Sequence, residues 1–249
     1  MPLKEVSPSR TPEDFLRRAL EADSPKLRAD LAREGLELGE EDLEPDTELL
    51  LLRQLYLAHL ESHRFQTAVE IAGRMTELAT ALKDVAHHDA SRAYAALGQT
   101  ARAIEEQRMA ARTAPPDRRS FQGWALATQL QFSGDLDGAE SALRRAERWA
   151  REDRPLLRAH RAWILLELDE PVEDLDEILA ELEGSSKASK GYGELVLGML
   201  RHRMGDDARA AVHLRAFLRR NASADSAKAT TLREELRRAR TVLASIESD

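Results

Sequence analysis

Apolar and small residues recur along most of the chain at three- and four-residue intervals, which predicts amphipathic helices and not strands. In the segment Ala139-Glu-Ser-Ala-Leu143-Arg-Arg-Ala146 they fall at i, i+4 and i+7. The same kind of stripe pairs Ala103 with Ala110, Leu175 with Leu179 and Leu182, and Ala210 with Leu214 and Phe217. Turn residues punctuate the pattern. Gly98, Gly134 and Gly205 each stand five residues before an alanine (Ala103, Ala139, Ala210); His63 with Ala68 fits the same frame, and Glu170 with Leu175 fits it more weakly. The anchors at 68, 103, 139, 175 and 210 are 35, 36, 36 and 35 residues apart, a self-similarity that marks stacked helical units. Each unit reads as two helices joined by a tight turn that needs a positive φ, where glycine is least strained. Pro115 and Pro116, and then Pro155, are expected to follow second helices. Pro171 is expected to open the second helix of the 157–183 unit.

These residues carry a resemblance to the tetratricopeptide repeat (TPR) family, strongest in Tyr94…Gly98…Ala103…Ala110…Pro115 and in Ser133-Gly134-Asp135-Leu136 followed by Ala139, Leu143 and Ala146. The period here is one or two residues longer than the family's. The family's early Trp is missing, and the 157–183 unit is degenerate. The resemblance implies an all-α fold, a right-handed α-solenoid of antiparallel helix pairs, with about five units over 46–220. It also implies binding of proteins or peptides. Residues 1–45 are expected to hold a mobile tail over 1–10 and then a short helix pair, capped by Thr11 and by Ser24-Pro25. Residues 221–249 are expected to form a capping helix over about 224–247. Leu232, Leu236, Ala239, Val242, Leu243 and Ile246 would face the last repeat, as the end of a solenoid requires.

Composition narrows the function. The chain has 249 residues, 33% of them charged and 4% aromatic, with a formal net charge of −8 and no cysteine. A net negative chain is a poor ligand for nucleic acid or anionic lipid. Disulfides, thiolate nucleophiles and Cys-ligated zinc are excluded. The first residues lack a secretory apolar stretch, so the expected compartment is the cytoplasm.

In solenoids of this family the first helices of successive units line a concave groove. The repeat frame points Arg53, Leu57, His88, Arg92, Phe121, Trp124, Thr128, Gln131, His160, Ile164, Tyr192, Met199 and His202 into it, together with Glu167 and Leu195. Aromatic anchors with Arg and His around them suit an extended or helical segment bearing acidic side chains or a C-terminal carboxylate. The Asn and Lys positions of the family's carboxylate clamp are not reproduced.

Other chemistry finds little support. His59 and His63 are spaced i, i+4, but no Glu completes an HExxH motif and His63 occupies the turn slot. Gly191-Tyr192-Gly193 lacks the remainder of a phosphate loop. No Ser, His and Asp are placed as a triad. The acidic runs 34–48 and 169–183 read as solvated faces before they read as docking sites. The expectation is a non-catalytic scaffold or adaptor without metal or cofactor, with a peptide- or ligand-responsive sensor as the alternative. Self-association through an open solenoid end is also compatible with the sequence.

Overall fold

The computed structural model describes residues 11–39, 43–185, 191–221 and 227–248. The mobile tail expected over 1–10, part of the acidic run at 40–42 and the first residues of the expected capping helix at 224–226 lie outside the described residues. Among the described residues the secondary structure is helical, with no strand. The leading pair is α1 (Pro12–Leu20) and α2 (Pro25–Leu38). Thr11 and Ser24 each accept a hydrogen bond from the backbone N–H three residues on, at 3.3 and 3.2 Å, with Pro12 and Pro25 opening the helices. Five further pairs follow: α3 (Pro45–Glu61) with α4 (Phe65–Glu77), α5 (Lys83–Ala96) with α6 (Thr100–Thr113), α7 (Arg119–Ser133) with α8 (Leu136–Glu147), α9 (Arg154–Glu167) with α10 (Leu175–Glu183), and α11 (Tyr192–Arg203) with α12 (Asp207–Asn221). Each helix packs on the next in chain order. Together they make an all-α solenoid.

The turn inside each of these five pairs has one construction. A residue with positive φ closes the first helix: His63, Gly98, Gly134, Asp169 and Gly205. The residue after it donates its N–H to the carbonyl five residues back, for example Gln99 to Tyr94 at 2.8 Å and Glu170 to Leu165 at 2.9 Å. These bonds satisfy carbonyls that a helix end leaves open. Glycine adopts the left-handed conformation without strain, whereas His63 and Asp169 bear a modest cost. In the degenerate unit the left-handed residue is Asp169, one position before the slot expected at Glu170.

What is degenerate is the stretch after that turn. In the other four units the second helix begins two residues past the left-handed position, at Phe65, Thr100, Leu136 and Asp207; here it begins six past it, at Leu175. Pro171 therefore does not open the helix. Val172 instead packs against the apolar cluster below, and Asp174, also left-handed, precedes the helix. Pro155 differs too, since it lies in the first turn of α9 and does not terminate α8. Its missing N–H has no intrahelical partner to lose there.

Second helices bury one stripe, as in α8, where Ala139, Ala142, Leu143 and Ala146 are enclosed. First helices are covered on more sides; α3 buries Leu49, Leu51, Leu52, Leu55, Tyr56 and Leu60, so its leucine run is core. The C-terminal segment is not one helix. α13 (Ala227–Thr231) and α14 (Arg233–Ile246) are separated at Leu232, just after the β-branched pair Thr230-Thr231, which resists helix. α14 packs on α12 and α11, as a cap does, while α13 reaches back to α3 and α5.

Candidate binding groove

Successive first helices are joined by side chains about one repeat apart. Arg53 of α3 donates to Asp89 of α5 at 2.6 Å. Arg118, just ahead of α7, donates through Nε and Nη2 to the two oxygens of Asp84 at 2.9 and 2.8 Å. Gln122 adds a bond to Asp84 at 3.1 Å. Burial works to raise the Asp84 carboxyl, but the bonds from Arg118 and Gln122 outweigh it and hold its pKa below the usual carboxylate value.

Further along, the links form a directed chain. Trp124 of α7 donates its indole N–H to Nδ1 of His160 on α9 at 2.9 Å. Indole can only donate, so Nδ1 is the acceptor and the imidazole proton sits on Nε2. That Nε2 donates to Oε1 of Gln131 at 2.7 Å. The amide of Gln131 then donates to Glu167 at 2.9 Å. Arg238 of α14 closes the chain by donating to the other oxygen of Glu167 at 3.2 Å, with its guanidinium 4.6 Å from the centroid of the Phe132 ring. His160 is fully enclosed and stacks on Trp163. Burial first, and the Arg238 charge second, lower its pKa to about 3, so it is a neutral hydrogen-bonding element at physiological pH.

Aromatic rings line the same face. Tyr192 of α11 meets Trp124 edge-on at 4.7 Å, Phe121 lies 6.0 Å from Trp124, and His88 lies 5.2 Å from Phe121. Phe121 is 44% exposed, whereas Trp124, His88 and Tyr192 are half-buried. His88 is also held by Gln107 at 2.9 Å; burial, followed by the Arg92 charge, lowers its pKa to about 4.

The structure thus brings together His88, Phe121, Trp124, Thr128, Gln131, His160 and Tyr192. Arg92 stands on the same side of α5, within the electrostatic reach of His88 and of Glu235 in α14. Arg53 is taken up by Asp89, and Leu57 is half-buried against the α3–α5 cluster. Ile164, Met199 and Leu195 are buried in apolar clusters and not at the groove surface, because those positions of α9 and α11 turn toward neighbouring helices. His202 pairs locally with Asp207 at the α11–α12 turn, at 2.7 Å.

The contribution of α14 is not visible in the sequence. Glu235, Leu236 and Ala239 are buried on the face that carries Arg92, Tyr192 and Glu167. Leu236 and Ala239 belong to the apolar stripe read as a cap. Glu235 and Arg238 interleave with it, and nothing in their spacing says which surface they meet. Among the described residues no group of three or more His, Cys, Asp or Glu is placed to hold a metal ion, and no helix is long and apolar enough to cross a membrane.

No family model matches the chain, and no curated protein matches it. Its backbone is similar to several solved structures. The Cut9–Hcn1 hetero-tetramer of the APC/C aligns at 14% identity and a TM-score of 0.51, over 93% of this chain and 55% of that one. PlcR of Bacillus thuringiensis, solved with the peptide PapR7 and DNA, aligns at 12% identity and 0.49, over 80% and 73%. YrrB, described as a TPR protein with an unusual peptide-binding site, aligns at 15% identity and 0.47, over 82% and 97%. At such identities the likeness is one of fold, and the alignment to Cut9–Hcn1 is the one of the three that carries it. With the repeated helix pairs and their shared turn, the chain is a TPR-like helical-repeat protein.

Proposed function

We propose that this protein is a non-catalytic interaction scaffold that holds a segment of a partner protein on its first-helix face. The observation that carries the reading is the aromatic and histidine surface spanning α5, α7, α9 and α11. It is fixed by the Trp124–His160–Gln131–Glu167 chain and presents Phe121 at 44% exposure. Rigid aromatic anchors held by interlocked side chains suit recognition, because little conformational freedom is lost on binding. Arg92 makes no ion pair among the described residues, and it favours a segment carrying an acidic side chain or a terminal carboxylate.

The test is capture of partners from source-cell lysate, wild type beside Phe121→Ala and Arg92→Glu. Phe121 is exposed enough that its truncation leaves helicity and melting near wild type. A tenfold or greater loss of capture by each variant is expected. Undiminished capture by both would remove this face from the function.

A second reading, a peptide-responsive sensor, is favoured by one observation: the C-terminal segment lies on the same face, so occupancy of the groove would be linked to the position of the tail.

A further inference from the structure

α14 is among the least buried helices of the stack. Three of its residues are buried, Glu235, Leu236 and Ala239, the same number as in α6 and α10 and against seven in α11. Leu232, Val242, Leu243 and Ile246 are only partly buried against the C-terminal cluster. One of the three buried groups is a carboxyl, and burying an acid without an ion pair opposes docking. Arg92 is within electrostatic reach of Glu235, yet the two form no ion pair among the described residues. Among the described residues the charged ties from α14 and its C-cap to the body are Arg238 to Glu167 at 3.2 Å and the surface pair Arg215–Glu247, about half exposed. An exposed pair of that kind contributes little. An open cleft of about 400 Å³ remains beside the tail, lined by His63, Phe65, Ala96, Ala229, Leu236 and Arg240. Few buried apolar contacts and a buried acid without an ion pair place a segment toward the low-stability end of a structure.

The contacts themselves have the form of a ligand. The segment is amphipathic and its leading part meets first helices, α13 against α3 and α5 and Arg238 on Glu167 of α9, in the manner of a helix in a groove, while α14 also packs on α12 and α11. It brings a carboxyl within electrostatic reach of Arg92, apolar contacts through Leu236 and Ala239, and a guanidinium that ends the Trp124–His160–Gln131–Glu167 chain.

We propose that residues 227–246 are a built-in, displaceable ligand, and that the groove's external partner is an amphipathic helix that reproduces these anchors: an acid facing Arg92, small and large apolar residues in the seats of Ala239 and Leu236, and a base on Glu167. This rests on the reading of the first-helix face as the binding surface and specifies its occupant. Binding in trans requires the tail to leave, so affinity for the partner is lowered by the fraction of molecules with the tail docked.

The test uses the full chain and a fluorescent synthetic peptide spanning residues 227–248. In Leu236→Asp, hydrogen exchange of the α14 amides is expected to rise at least tenfold, with protection of α3–α12 and overall helicity retained. The labelled peptide is expected to bind this variant at least tenfold more tightly than wild type, and Arg92→Glu added to the variant should abolish the gain. A milder pair guards against a folding defect: Arg238→Glu should loosen the tail, and Glu167→Arg in the same chain should restore it.

Loss of α11 and α12 protection together with α14 would make the tail an integral part of the fold and overturn the proposal. So would equal binding of the peptide to wild type and Leu236→Asp, or its failure to bind the variant with the tail released. A wild-type dimer in light scattering that Leu236→Asp dissociates would assign the seat to a second copy, and would equally overturn it. Exchange and peptide binding do not depend on any lysate partner, so their failure is separate from a failure of the scaffold reading in the capture test.

Discussion

The joint between α5 and α7 and the far end built on α9, α11, α12 and α14 stack the same kind of helix pair with different chemistry. At the joint, the apolar residues that α5 buries are Ala86, Ala90 and Ala93, and those of α6 are Ala103 and Ala110. Alanines bury little area and so provide little hydrophobic stabilisation. The contact is completed by the Asp84–Arg118–Gln122 cluster, with Gln107 donating to Gln122 at 3.0 Å and bonded to His88. At the far end α11 buries Leu195, Val196, Leu197, Met199 and Leu200 around the enclosed Trp163 and Phe217. Directional bonds fix how one repeat sits on the next, whereas an apolar cluster supplies stability without prescribing register. The tail docks where that apolar cluster continues past the last repeat.

The largest expected effect tests the apolar end. Trp163→Ala empties a fully enclosed site and should cost about 4 kcal/mol. In urea with hydrogen-exchange readout, α9–α14 should lose protection before α3–α6; uniform loss throughout would show that the two regions are not separable. Next comes the polar joint. Asp84→Ala removes a carboxylate at 0% exposure, but Arg118 is about a third exposed and can return to water. The expected cost is about 2 kcal/mol, below the range for a wholly enclosed pair, with the unfolding transition broadening or splitting at the joint. An unchanged, single transition would mean that alanine packing alone holds it. The low pKa of Asp84 adds a sign: the stabilisation is full above the unfolded value near 3.8 and is lost as pH falls through the lower folded value.

A smaller effect is expected of the tail and pH. Burial pushes Glu235 up to about 7 against the attraction of Arg92 and Arg238, with Glu234 on its own helix adding to the rise, and Tyr192 of α11 is within its electrostatic reach. A group raised in the docked state favours docking while it is protonated. Docking is therefore full below the free value of 4.5 and weakens as pH rises through about 7. Between about pH 6 and 8 the α14 protection factors should drop roughly tenfold, about 1.4 kcal/mol, and Glu235→Gln should flatten the profile. The same slope in both proteins would detach the effect from Glu235. His88 and His160 titrate with the opposite sign, opposing folding on acidification, and comparison with Glu235→Gln removes their contribution. The smallest effect is at the α5–α6 turn. Gly98→Ala, at φ 81° with open space around the added Cβ, should cost about 1 kcal/mol from backbone strain alone, measured as a shift in denaturation midpoint. A neutral result would make the left-handed turn indifferent to residue type.

Much of this was legible in the residues. The glycine–alanine frame located the turns of the regular units, since a left-handed turn and a close helix approach are local demands on residue type. The 157–183 unit was legible in its period but not in its helix start. Proline permits a helix at 171, but Val172 packs against the apolar cluster that includes Trp163, Ile178 and Leu179, and the helix starts at Leu175. The groove set was legible in part. Trp124, His160, Gln131 and Tyr192 meet, because positions one repeat apart on adjacent first helices face each other. Ile164 and Met199 share the frame and fall in the core, since a small rotation of a helix moves a residue from one face to the next.

The sequence by itself determined the helical repeat, its turns, the caps at Thr11 and Ser24 and the amphipathic stripe of the C-terminal segment, because each depends on residues within a turn or two of one another. Only the tertiary structure decided that α14 lies against Arg92, Tyr192 and Glu167. An apolar stripe specifies that a helix must be covered, but which surface covers it depends on how the whole stack of repeats brings distant side chains to the same place.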